Sequence, residues 1–143
     1  NRALELFPNN GEIKGLHSKI IIGVDALRIS SDFSNKGLDY FNKQDYKNAA
    51  IHFENAYNAN PLDYAFFENA ATANYMIGNF NKANEQIDIV INKLNPLNGK
   101  CEYIKALIYI KMDDPIGACP FLETSRDSGY REAEALFDRY CRF

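Results

Sequence analysis

Residues 30–61 read SSDFSNKGLDYFNKQDYKNAAIHFENAYNANP, and residues 64–96 read YAFFENAATANYMIGNFNKANEQIDIVINKLNP. Laid in register, Tyr46 falls on Phe80, Ala49 on Ala83 and Phe53 on Ile87, each 34 residues apart. Pro61 and Pro96 are 35 apart, so the second copy is one residue longer at its end. A third copy follows: Ala118 comes 35 residues after Ala83, and MDDPIGA stands where KQDYKNA and IGNFNKA stand earlier. A period of this length is the signature of stacked units, each covering its neighbour's apolar face.

The small residues keep the tightest register. Gly37, Ala49 and Ala56 are separated by 12 and 7 residues, as are Ala71, Ala83 and Val90, and again Ala106, Ala118 and Ser125. Two helices joined by a short turn must cross closely, and small side chains let their backbones approach at the crossing. Larger apolar residues at helical spacing fill the space beside it. Gln44-Asp45, Gly78-Asn79 and Asp113-Asp114 supply a turn or helix-starting pair between the two helices of each unit. Asn60-Pro61 and Asn95-Pro96 end the second helices, because a residue before proline avoids helical geometry.

These residues resemble the tetratricopeptide repeat, a 34-residue helix–turn–helix unit. The first copy carries Phe33-x2-Lys36-Gly37-x2-Tyr40, then Ala49-x3-Phe53, Ala56 and Pro61. It departs at Lys36, where the family usually has leucine, and at Phe33, which replaces tryptophan. The second copy matches at Ala71, Ala83, Ile87 and Pro96 but has Asn74 in place of the aromatic, with Tyr75 as its substitute. The third keeps Ala106, Tyr109, Ala118 and Leu122, with Pro115 and Pro120 in or near its second helix. The resemblance spans about residues 30–128. It implies an all-α, right-handed superhelical array with repeats at 30–63, 64–97 and 98–129.

The flanks extend this scheme. Ala3 and Pro8 are five apart, as are Ala56 and Pro61, so NRALELFPNN reads as the tail of a preceding repeat. Residues 11–29 hold one helix's worth of pattern in Ile13, Leu16, Ile20, Val24 and Leu27, although the run Ile20-Ile21-Ile22 also permits a strand. Residues 1–29 are thus expected to be a helical remnant plus one helix. Gly129 should end the last repeat. In residues 130–143, Ala133, Leu136, Phe137, Tyr140 and Cys141 then share one face, as a helix capping the array would require.

Composition narrows the function. The net charge of −3 offers no basic field for nucleic acid or anionic lipid. The longest apolar run, KIIIGVDALRI, is broken by Gly23, Asp25 and Arg28 and is too short to insert in a membrane. The chain begins at Asn1 with no visible signal segment. There is no phosphate-binding loop, dinucleotide fingerprint, C-x-x-C or H-E-x-x-H. His52 reads as a solvated or edge histidine. His17 falls in the less certain segment, and nothing in the register brings His52 to the cysteines of the third repeat. Asp113-Asp114 reads as a turn and N-cap rather than a metal pair. The expectation is a non-enzymatic protein with no cofactor and no metal.

In tetratricopeptide proteins the first helices of successive repeats line an inner groove. By position, that resemblance implies a groove of Ser34, Leu38, Phe41 and Asn42, then Glu68, Asn69, Thr72, Tyr75 and Met76, then Lys100, Tyr103, Leu107 and Lys111. Asparagine amides can pair with a peptide backbone, and tyrosine and methionine give adaptable contact area. A protein or peptide partner follows. The two-carboxylate clamp of chaperone-tail binders is disfavoured: its five positions hold Ser34, Leu38, Asn69, Lys100 and Ile104, and only Asn69 and Lys100 fit. Two other functions stand beside the scaffold. One is self-association through the N-terminal end, giving a homo-oligomer, and the other is a regulatory part of a longer enzyme or sensor.

The chain has three cysteines. If Gly129-Tyr130 is the turn of an antiparallel hairpin, Cys119 and Cys141 face each other across it, and Cys101 faces residues near Arg126 instead. Two readings stay open: a Cys119–Cys141 disulfide with Cys101 as a thiol, or reduced cysteines packed as small apolar residues. The stretch also resembles the end of exported bacterial tetratricopeptide proteins of the Bacteroidetes type, with GAC, an SGY turn and a terminal RYC. A disulfide there would imply an oxidising compartment such as the periplasm or cell envelope, with the cytoplasm as the alternative.

Overall fold

The computed structural model describes residues 11–93 and 99–142, with side chains from Asp25 onward. Ala3, Pro8 and the Asn95-Pro96 stop lie outside these residues. The described chain is entirely helical: α1 Gly11–Asn42, α2 Tyr46–Ala59, α3 Ala65–Met76, α4 Phe80–Lys93, α5 Lys100–Lys111, α6 Pro115–Asp127 and α7 Glu132–Cys141. Each helix packs on its neighbours in the chain, and α3 also touches α5. That pattern is a solenoid of hairpins, α1/α2, α3/α4 and α5/α6, closed by α7.

The turns inside the hairpins share one geometry. Gln44, Gly78 and Asp113 occupy the same repeat position and all take positive φ, at 64°, 88° and 62°. Each follows a helix C-terminus. The next residue's N–H then donates five residues back: Asp45 to Tyr40, Asn79 to Asn74 and Asp114 to Tyr109, all at 2.9 Å. This is the left-handed helix stop that satisfies orphan carbonyls. Glycine fills it only once, so the backbone conformation rather than glycine is what repeats. Asp45 and Asp114 then cap the following helices, accepting from Asn48 N (3.3 Å) and Gly117 N (2.9 Å). Gly129, with φ of 95°, ends α6 the same way, as Tyr130 N donates to the Ser125 carbonyl at 3.0 Å.

The small residues lie where the helices cross. Gly37, Ala49, Ala56, Ala71, Ala83, Val90, Ala106, Ala118 and Ser125 are all buried. A Cβ on Gly37 would sit 2.7 Å from two ring atoms of Phe53, so α1 and α2 could not close as they do with any larger residue. The apolar core is continuous because its clusters cross the hairpin boundaries. Ala70 and Ala73 of α3 join Ala49 and Phe53 of α2, while Cys101, Ile104 and Ile108 of α5 join Ala83, Ile87 and Val90 of α4. At the end, Ala133, Leu136, Phe137, Tyr140 and Cys141 of α7 cover Ala106, Ala118 and Leu122.

Two details differ from the expectation. Residues 11–29 and the first helix of the first repeat are not separate helices; they form one 32-residue helix, α1. No proline or turn pair interrupts this stretch, and Ser30 satisfies its hydroxyl within the helix by donating to the Leu27 carbonyl at 3.0 Å. Nor does Tyr75 replace the missing aromatic of the second repeat. Asn74 itself is buried there, donating to Gln86 Oε1 (2.8 Å) and to Glu54 Oε2 (3.2 Å), while Gln86 Nε2 donates to Glu54 at 2.7 Å. The residue pair twelve apart is a fixed site in all three hairpins. Tyr40 meets His52 with ring centres 5.0 Å apart, and Tyr109 meets Phe121 at 5.5 Å. An amide pair occupies the same place in the middle hairpin, with both partners satisfied as burial demands.

The third hairpin also accommodates its prolines. Pro115 sits at the first position of α6, where its missing N–H costs nothing. Pro120 lies inside α6 and leaves the Ile116 carbonyl without its usual donor. Ile116 is exposed, so water reaches that carbonyl.

Candidate peptide-binding groove

The first helices of the hairpins, α1, α3 and α5, stand side by side on one face. A cavity of about 220 Å³ opens between them, lined by Leu38 and Phe41 of α1, Asn69 and Thr72 of α3, Lys100 of α5 and Phe53 of α2. A second, shallower depression of about 480 Å³ is lined by Tyr75, Met76, Ile77, Gly78 and Phe80 with Lys111 of α5. Eight of the thirteen residues expected in the groove therefore meet in two places. Ser34, Asn42, Glu68, Tyr103 and Leu107 line neither cavity.

Glu68 is the clearest departure. It is buried, and its carboxylate is engaged inside the protein. Oε1 lies 3.1 Å from Lys100 Nζ, and Oε2 accepts from the Cys101 thiol at 2.8 Å. Thr72 Oγ1 donates to the Glu68 backbone carbonyl at 3.0 Å. Sequence position alone placed Glu68 on the groove face; its burial follows from having two donors on α5 within reach. Tyr103 packs against Tyr130 of the α6–α7 turn, with ring centres 5.0 Å apart, and so ties the groove to the cap. Ser34 and Leu107 are half-buried and Asn42 is exposed.

Burial raises the Tyr75 phenol above its ordinary value of 10.0, and nearby Tyr103 adds to the rise. Tyr103 is raised by burial first, then by Tyr130 and Glu132. Both hydroxyls therefore remain protonated donors at neutral pH. Lys111 has no carboxylate within ion-pair distance among the described residues, so its charge is presented to solvent. Phe53, Ile77, Gly78 and Phe80 were not anticipated as lining residues. Phe53 belongs to a second helix, and its ring packs directly against Gly37 of α1 behind the cavity.

No family model and no curated protein matches the sequence. Among solved structures, the TPR2AB domain of yeast Sti1, in its pHSP90 complex, matches with a TM-score of 0.73 over 94% of this chain, at 20% identity. The fold is a tetratricopeptide-repeat array. The match covers 58% of the yeast chain, so this chain spans rather more than half of that structure's length. The all-helical hairpin stacking of the described residues agrees with that fold. The second helices, α2, α4 and α6, then form the outer layer, and α1, α3 and α5 the inner face.

Proposed function

We propose that this chain is a non-enzymatic protein-interaction scaffold that receives a peptide or protein segment across α1, α3 and α5. The observation that carries the reading is the cavity where three consecutive inner helices each contribute a side chain, with Leu38 left 44% exposed at its edge. Met76, 46% exposed, extends the apolar surface into the second depression. The yeast Sti1 repeat was solved in a complex with pHSP90, which supports a protein or peptide as the partner class. Asn69→Ala together with Tyr75→Ala should abolish capture of the native partner from lysate while leaving the helical circular dichroism in place. Unchanged capture by that double variant would refute the groove.

A second reading has its own support. α1 has 32 residues and α2 only 14, so α1 runs on past its partner helix. Leu27 and Ile29 there are 58% and 40% exposed. Self-association through that end would raise the scattering mass with concentration, and replacing both residues with serine would return it to the monomer value. A constant monomer mass across concentration would exclude this reading.

A further inference from the structure

We infer that the cavity between α1, α3 and α5 takes one uncharged apolar side chain from within an extended partner segment, and not a carboxylate. The inference rests on the scaffold reading above and specifies its ligand. Size is the first argument: an apolar cavity of about 150 Å³ holds benzene, and this one has about 220 Å³, room for a leucine or phenylalanine side chain. Its walls are the second. Leu38, Phe41 and Phe53 give it three apolar sides, and burying a ligand's apolar group there removes both surfaces from water.

Charge is the third argument and decides against an acidic ligand. Lys100 is the only cation among the lining residues, and it is already paired with Glu68, whose side chain is 10% exposed. A ligand carboxylate at Lys100 would bring a second negative charge toward that buried carboxylate and compete with it for one ammonium, whose side chain is 47% exposed. A neutral group leaves the pair intact. Polar capacity at the rim points the same way. The Asn69 amide offers a donor and an acceptor side by side, which matches a backbone N–H and C=O. Any internal residue presents those groups, so no chain end is needed. Thr72 has already given its hydroxyl proton to the Glu68 carbonyl and keeps only acceptor capacity.

The test uses the intact chain and fluorescein-labelled decapeptide pools, acetylated and amidated at their ends. Each pool is degenerate except for a central Leu, Phe, Ser, Lys or Asp. Fluorescence polarisation should show the Leu and Phe pools binding about tenfold or more tighter than the other three. Raising salt from about 0.05 to about 0.5 M should change the Leu-pool affinity less than twofold, because no exposed ion pair is formed. Leu38→Glu, at an exposed position that tolerates the change, should erase the Leu and Phe preference. The inference is overturned if the Asp pool binds best, if a free C-terminus improves binding tenfold, or if affinity collapses with salt. It is also overturned if no pool binds; should the Asn69/Tyr75 double variant still lose the native partner in that case, the groove stands and the apolar anchor alone is wrong.

Discussion

Replacing Phe53 with alanine is expected to cost about 3–5 kcal/mol of unfolding free energy, the range for emptying a buried aromatic site. The ring is 1% exposed and is held on one side by Gly37 and on the other by Ala49, Ala50, Ala70 and Ala73. Those neighbours are small and fixed in helix backbones, so they cannot move in to fill the space, and most of the cavity term survives. The same substitution removes a wall of the groove cavity. Urea denaturation followed by circular dichroism measures the loss. Leu38→Ala, at a position 44% exposed on the same cavity, serves as the comparison and should cost below about 1 kcal/mol. A Phe53→Ala loss no larger than that of Leu38→Ala would mean the ring is not seated in the α1–α2 crossing.

The second large effect is at the cap. Cys119 and Cys141 are joined across the α6–α7 hairpin, with Cα atoms 5.7 Å apart, and lie 22 positions apart in sequence. Closing a loop of that size restricts the unfolded chain by about 3 kcal/mol in the chain-entropy account. Cys119→Ser with Cys141→Ser should therefore lower stability by about that amount, since the folded contacts of α7 are otherwise unchanged. Those contacts are appreciable: the Arg126 guanidinium lies 4.2 Å from the Phe137 ring centre, and Ala133 is fully buried. Thiol counting on protein unfolded without reductant checks the bond directly. One thiol, that of Cys101, is expected; three would exclude the bridge.

Much of the fold was legible because the information is local and repeated. The 12-and-7 spacing of small residues marks helix crossings, and every one of those positions is buried. What remained hidden depended on partners outside a repeat. Asn74 looks like a defect when compared with Tyr40 and Tyr109; it becomes a core residue only with Gln86 and with Glu54 from the preceding hairpin. Its counterpart at the next boundary is Lys105, buried in α5, where leucine is usual in the repeat pattern. Lys105 pairs with Asp88, donates to Asn84 Oδ1 at 3.1 Å, and sits 5.4 Å and 5.1 Å from the Tyr109 and Phe121 ring centres. The boundary at residue 29 was misplaced for a different reason. A motif begins there, but a helix ends only where something breaks it, and nothing between Gly11 and Asn42 does. In the groove, eight of the residues carried over by position line the two cavities, whereas the direction of each side chain depended on cross-helix partners, as Glu68 shows.

The cysteine bridge makes the two ends of the array unequal. In a solenoid each unit touches only its neighbours, so opening starts at an end and moves inward. At the C-terminal end α7 cannot peel from α6 while the bond holds. Among the described residues no second disulfide joins α1 to α2. Among the described residues, the covalent fastening therefore lies on the α6–α7 side alone. Lys100 and Lys111, on α5, lie nearer the bonded hairpin, while Leu38 and Phe41 lie on α1, away from it. The proposed groove thus spans a junction between a covalently fastened part of the array and a part held by packing alone, so a partner segment seated across it would tie the two together.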